Sequence, residues 1–223
     1  MQNRTALRGL MASAAVAATI AIAAPAAALT LTLYPNDQPL PANQVMIADF
    51  DNPIAAGFTF TQDANAYVRS GAEGLDSGVS APPPGDVSNY ETVLGGGLAT
   101  LTTTGLLTSF SFYLGSPDTY NTVKFYGLDG YQVTLSGQDI LGPAGVENGD
   151  QSFGRRVSYD FGANRVNKVE FISSGNAFEF DSLAGAVQAA VPEPATWLMM
   201  ILGFGGVGAM IRRRRTLPAA ATA

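Results

Sequence analysis

Two short stretches hold the carboxylates best placed to act together. "IADFDNP" (47–53) carries Asp49 and Asp51, and "FEFDSL" (178–183) carries Glu179 and Asp181. Carboxylate oxygens suit two kinds of chemistry. They ligate hard cations such as calcium, which takes about six to eight oxygens from carboxylates and loop carbonyls. They also act as acid and base in glycoside hydrolysis, provided two of them face each other across a cleft about 5–10 Å wide. The chain has no Cys and no His, which removes disulfides, thiol nucleophiles, Ser-His-Asp triads and ordinary zinc sites. A plainer reading stands beside both: Asp49, Asp51 and Asp181 as solvated acids at strand ends. "DTYN" (118–121) reads as a turn, in which Asp and Asn bond local backbone while Tyr120 packs on the sheet.

The elements that carry these residues must bring them together. Between 29 and 190, short apolar or alternating runs recur between Gly, Asn, Asp and Pro punctuation. They predict strands at 44–50, 57–62, 66–70, 90–94, 98–103, 106–114, 121–126, 131–136, 152–161, 166–173 and 177–181. "SFSFYL" (109–114) and "VKFYG" (123–127) alternate with period two, as half-buried antiparallel strands do. The pattern implies an all-β fold, a single antiparallel β-sandwich of jelly-roll-like form. There Phe178 and Phe180 point inward, Glu179 faces out and Asp181 falls where the last strand ends. First and last strands of jelly rolls are often neighbours, which would bring Asp49 or Asp51 close to Asp181. The long break at 70–89, with prolines at 82–84, reads as a structural loop or as an ordered flap across one sheet.

The two ends speak of compartment. Residues 1–28 read as a secretory signal peptide: Arg4 and Arg8, then an apolar run from Leu10 to Ala24, then Ala26, Ala27 and Ala28 for signal peptidase. Cleavage after Ala28, following export by the Sec machinery, is the expectation. The other end reads "VPEPATWLMMILGFGGVGAMIRRRR" (191–215). Trp197 to Ile211 is a run of 15 residues without a charge, about 22 Å long as a helix. That is short for a bilayer core of about 30 Å, so a transmembrane helix here needs snorkelling ends or a locally thinned bilayer. Arg212, Arg213, Arg214 and Arg215 would hold that end in the cytoplasm. Pro192 and Pro194 keep Glu193 extended and open to a protease. The chain therefore divides into a signal peptide (1–28), an exported domain (29–190), the tail signal (191–215) and a short cytoplasmic tail (216–223). Six of the 12 basic residues and 17 of the 18 acidic ones fall in 29–190, leaving that domain at about −11. Such a charge argues against nucleic acid or anionic lipid as partner.

Pro192-Glu193-Pro194, Trp197, Met199-Met200, the Gly-Phe-Gly at 203–205 and the four arginines resemble the PEP-CTERM sorting signal of Gram-negative bacteria. The resemblance implies processing near the tripeptide by an exosortase, a membrane-embedded cysteine transpeptidase-like enzyme. It also implies an inner-membrane stage with the body in the periplasm, followed by release to the cell surface or extracellular matrix. "YLGSPDTYNTVKF" (113–125) and "NAFEFDSLAG" (176–185) look like the body of exosortase-dependent surface proteins, a family with no established enzymatic activity to carry over. Around Asp49, Asp51 and Asp181 the chain is similar to carbohydrate-binding jelly rolls, which commonly hold a structural calcium between an early acid and a late Asp. Three functions follow in order. The first is a non-catalytic surface or matrix protein. The second is a module binding exopolysaccharide or another carbohydrate, its rings drawn from Tyr67, Tyr90, Tyr113, Tyr120, Tyr126, Tyr131 and Tyr159. In alternating strands, though, such tyrosines are more often core or cross-strand partners. The third is a glycoside hydrolase.

Overall fold

The computed structural model of the chain describes residues 29–141, 149–188 and 194–215. Arg4, Arg8, Ala26, Ala28, Pro192 and Glu193 lie outside these residues, as do the side chains of Pro194, Trp197, Arg213, Arg214 and Arg215. The described residues form β1 (Thr30–Tyr34), β2 (Val45–Ala48), β3 (Phe58–Gln62), β4 (Ala66–Ser70), β5 (Asn89–Val93), β6 (Leu98–Leu114), β7 (Asn121–Gly127), β8 (Gln132–Ser136), α1 (Gly137–Leu141), β9 (Arg155–Asp160), β10 (Val166–Ser173), β11 (Phe178–Gln188) and α2 (Pro194–Arg215). Every strand pairing among them is antiparallel.

The long strand β6 organises the fold. Its first half lies between β3 and β10, and its second half between β11 and β9. Two layers therefore share one strand, as sandwiches do where a bent strand turns a corner. One layer is β3, β6, β10, β7 and β8; the other is β4, β5, β2, β11, β6, β9 and β1. Gly105 sits at the corner, and a Cβ there would lie 2.4 Å from Val187 Cγ1. Only a glycine lets β11 close on that bend.

Alternation along the strands puts rings between the layers. Phe110 and Phe112 of β6, Phe125 of β7, Phe171 of β10, and Phe178 and Phe180 of β11 are fully buried. Phe171 stacks on Phe180 across the layers at 4.1 Å, and Phe125 meets Tyr159 of β9 edge-on at 4.7 Å. Such contacts add to the large apolar area each ring buries. The all-β sandwich is thus the observed fold.

Three details differ from expectation. Strand β1 was not foreseen and pairs with β9 along its whole length. The stretches 98–103 and 106–114 are one strand. Strand β11 runs on to Gln188, so Asp181 lies within it rather than at its end.

Phe178 to Gly185 are buried on both faces of β11, because the 71–88 segment lies across the outer one. The Ala81 N–H donates to Glu179 Oε1 at 2.9 Å, and the Tyr113 hydroxyl donates to the Pro84 carbonyl at 2.7 Å. Arg69 secures the start of this flap through Asp76 at 2.8 Å and Glu73 at 3.3 Å.

Helix α2 is apolar on every face, with Leu198, Met199, Ile201, Phe204, Val207 and Met210 all more than half exposed. No helix among the described residues is long and apolar enough to cross a membrane.

Candidate functional site

Strand β2 pairs with β11, Ala48 opposite Leu183, and this sets the early acids beside the last strand. Phe50 takes a positive φ of 55° and turns its ring onto Phe60 and Phe180. Asp49, Asp51 and Asp181 line one open cleft of about 600 Å³, together with Asp37, Asp86 and Tyr113. Asp49 is occupied by its own turn, accepting from the Asn52 N–H at 2.9 Å, Asn52 Nδ2 at 2.8 Å and the Asp51 N–H at 3.3 Å. Burial works against its charge, but these bonds outweigh that and hold its carboxyl below the usual range. Asp51 is exposed, and its Oδ1 accepts the Asn89 N–H at 3.2 Å.

The deeper half of the cleft is different. Asp181 is only 4% exposed. Its Oδ2 is met by the hydroxyls of Ser182 at 3.2 Å and Ser88 at 3.5 Å, while its Oδ1 has no partner. Asp86 Oδ1 accepts the Ser88 N–H at 2.8 Å and the Ser88 hydroxyl, and its Oδ2 is buried without a partner. The Ser182 hydroxyl also reaches Asp37 Oδ2 at 3.1 Å. Behind Asp37 stands Arg156 of β9, fully buried, ion-paired with that carboxylate and donating to Ser111 Oγ at 2.8 Å and the Ser182 carbonyl at 2.9 Å. Burial pulls the Arg156 guanidinium below its ordinary pKa, and Asp37 opposes that. Burial pushes Asp181 up to about 8, with Asp86 and Asp37 adding to the shift.

Three more carboxylates, Glu179, Asp118 and Glu91, are buried away from this cleft. Glu179 faces outward as expected, yet it is 3% exposed under the flap. The Ser116 hydroxyl lies 3.5 Å from Glu179 Oε2 and 3.0 Å from Asp118 Oδ2. Burial raises Glu179 to about 7, and the Asp118 charge contributes. Asp118 heads a turn closed by the Asn121 N–H on its carbonyl at 3.0 Å. Glu91 of β5 is fully buried and accepts from Gln62 Nε2 at 2.5 Å, its other oxygen having no partner. Burial lifts it to about 8.

Among the described residues, no group of three or more acidic side chains is arranged to hold a metal ion. What the deep cleft offers is a buried carboxylate, Asp181, and a half-buried one, Asp86, each with one buried oxygen short of a donor. That arrangement holds a proton or shares a cation.

Sequence reasoning missed Asp37 and Asp86, which sit in "YPND" and "PPPGD" and look there like ordinary turn acids. It missed Arg156 too, since an arginine in a strand reads as solvent-facing. Of the tyrosines named for sugar stacking, Tyr90 and Tyr159 are fully buried and Tyr113 is 9% exposed. Tyr126 is covered by the Lys168 ammonium, 3.7 Å from its ring centre.

No curated protein shows significant similarity to the chain. Among solved structures it is similar to the catalytic unit of a thermostable GH87 alpha-1,3-glucanase from Streptomyces thermodiastaticus, at 16% identity and a TM-score of 0.29. That match covers 62% of this chain and spans 28% of the glucanase unit. The K2 cleaved adhesin domain of Lys-gingipain matches at 12% identity and a TM-score of 0.28, covering 64% of this chain and 98% of that domain. The family 11 carbohydrate-binding module of the Clostridium thermocellum cellulase Lic26A-Cel5E matches at 14% and 0.21, covering 70% and 99%. Likenesses this distant carry no argument about activity. The tail is different, because the family model of the PEP-CTERM protein-sorting motif matches residues 190–215. Behind its all-β body, the chain carries a PEP-CTERM protein-sorting motif.

Proposed function

We propose that the chain is an exported, non-catalytic surface or extracellular-matrix protein, inserted by its tail and then cut there by an exosortase. The observation that carries this reading is the sorting motif at 190–215, which starts two residues after the last strand ends at Gln188. The body thus ends where the signal begins. Helix α2 supports a membrane stage, since a helix apolar all round with its sides exposed has no stable place in water. Its 15 uncharged residues would cross a thinned bilayer while Arg212 and its neighbours reach the cytoplasmic headgroups. The body would stand in the periplasm until cleavage.

Replacing Glu193 by Ala tests this in cells that hold the exosortase. The variant should accumulate as a longer, membrane-retained precursor while the wild type is shortened. Identical mass and identical fractionation of the two would overturn the reading.

A further inference from the structure

We infer that the sandwich carries a dimer edge: β1 of one copy pairs antiparallel with β1 of a second copy, about a two-fold axis at Thr32. This self-association is independent of the sorting role.

Among the described residues β1 pairs with β9 alone, so the other side of its backbone has no partner strand. Natural sheets guard such an edge with charges, prolines or bulges, because bare N–H and C=O groups template another strand. Strand β1 has none of these. It reads Thr-Leu-Thr-Leu-Tyr, and its register runs unbroken from Thr30 opposite Asp160 to Tyr34 opposite Arg156. The strand at the far end of the same layer, β4, is guarded: it carries Arg69, bound to Glu73 and Asp76. With 17 acidic residues against six basic ones in 29–190, two copies repel over most of their surface. An uncharged edge is where they can meet.

The side-chain pattern selects an identical strand as the occupant. Laid antiparallel on itself about Thr32, β1 sets Leu31 against Leu33 on one face and Thr30 against Tyr34 on the other, so both faces continue across the seam. The inner face is short of cover. Leu31 is half-buried against the core, and Leu33 is 38% exposed although it sits opposite the fully buried Val157. The other layer ends the same way. Rings hold the two layers in step: Phe112 of β6 meets Phe171 of β10 at 5.4 Å, and Tyr159 of β9 meets Phe125 of β7 at 4.7 Å. The next strands outward are β1 and β8, and β8 is also uncharged, with Val133 and Leu135 half-buried. One two-fold axis normal to the sheets therefore brings β1 to β1 and β8 to β8, closing these four apolar side chains between the copies. Asp139 Oδ2 already accepts the Ser136 N–H at 2.7 Å, which shortens the β8 ladder and leaves β1 as the main seam. Two-fold pairing of one patch with itself is the commonest way in which copies associate. Five residues a side make a short ladder, so the association is weak and grows with concentration.

The test uses the chain purified in detergent from exporting cells that lack the exosortase. It has no cysteine, so a single substitution places one thiol in each copy. Residues facing each other across an antiparallel pair have Cα atoms about 5 Å apart, within reach of a disulfide. Position 30 lies about 14 Å from position 30 of the other copy, four residues along the ladder. Under mild oxidation Thr32→Cys should therefore form a disulfide dimer. Its yield should rise with protein concentration and exceed that of Thr30→Cys at least tenfold. Comparing two positions in the same chain cancels any association through α2. Adding Leu33→Lys to Thr32→Cys sets charge against charge at the seam and should cut the cross-link at least tenfold, while Leu33→Met should keep it. Leu33 is 38% exposed, so a lysine there reaches water and the body still folds, which an unchanged near-ultraviolet circular dichroism spectrum checks. Equal yields from positions 32 and 30, a yield independent of concentration, or a cross-link that survives Leu33→Lys would overturn the proposal.

Discussion

Glu91→Gln separates the pH response of the core from its packing. Glu91 lies on β5 opposite Phe180 of β11, and its carboxyl is bonded across the sandwich by Gln62 of β3. Burial raises its pKa from 4.5 to about 8. Between those values the folded chain keeps a proton that the unfolded chain has released. Glu91's contribution to stability is therefore greatest below pH 4.5, falls as pH rises towards 8, and levels off above. Three and a half pH units at about 1.4 kcal/mol each make Glu91's share roughly 5 kcal/mol. Glutamine removes that share, but it buries amide hydrogens beside a single known neighbour, costing about 1–3 kcal/mol. The variant should thus be less stable than wild type by about 1–3 kcal/mol at pH 4 and more stable by a few kcal/mol at pH 8.5. Urea unfolding of the full chain in detergent at half-unit pH steps, read by the near-ultraviolet signal of buried Tyr90 and Tyr159, gives both curves. They should cross between pH 5 and pH 7, at roughly the point where the two effects cancel. A slope should persist in the variant, because Glu179 and Asp181 are also raised. Parallel curves, or a variant weaker at every pH, would refute the reasoning.

Two further substitutions probe the frame. Phe180→Ala removes the ring that stacks on Phe171 between the layers, and should cost about 3–5 kcal/mol in urea unfolding at constant slope. A loss below 1 kcal/mol, far under that range, would mean the rings do not carry the core. Arg156→Ala strips Asp37 of its buried partner and leaves Ser111 and the Ser182 carbonyl without their donor. It should cost about 3 kcal/mol at pH 7, on the low side of buried-pair losses because Asp37 is partly exposed. Asp37→Asn should cost much less in the Arg156→Ala background than alone, and additive losses would contradict the pairing.

What the sequence made legible was whatever has a period. The alternating runs at 109–114 and 123–127 are strands with one buried face, and Phe178 and Phe180 point inward as their spacing demands. Strand β11 beyond Asp181 was illegible because it is buried on both faces, which erases alternation. The continuity of β6 was hidden by "TTTG" (102–105), which reads as a break and is in fact the corner between layers. The site was half visible. Asp49, Asp51 and Asp181 do line one cleft. Its deepest partners, however, come from the flap and from the β1–β2 connection, where turn chemistry already accounts for an aspartate.

The position of β11 has a consequence for the order in which the body is completed. This strand is bonded to β2, β5 and β6 at once and supplies Phe178 and Phe180 to the centre of the sandwich. It is also the last strand in the described chain, and only Ala189, Ala190 and Val191 separate its end from Pro192. A chain threaded across a membrane N-terminus first therefore cannot close its layers early. The keystone strand emerges last, with the sorting signal already in the channel behind it. Until then the other strands wait with their apolar faces open, exposed to holding factors or to one another. On the proposed export route, completion of the fold and arrival of Pro192-Glu193-Pro194 become nearly one event, so that an exosortase waiting at the membrane would meet bodies that have only just finished folding.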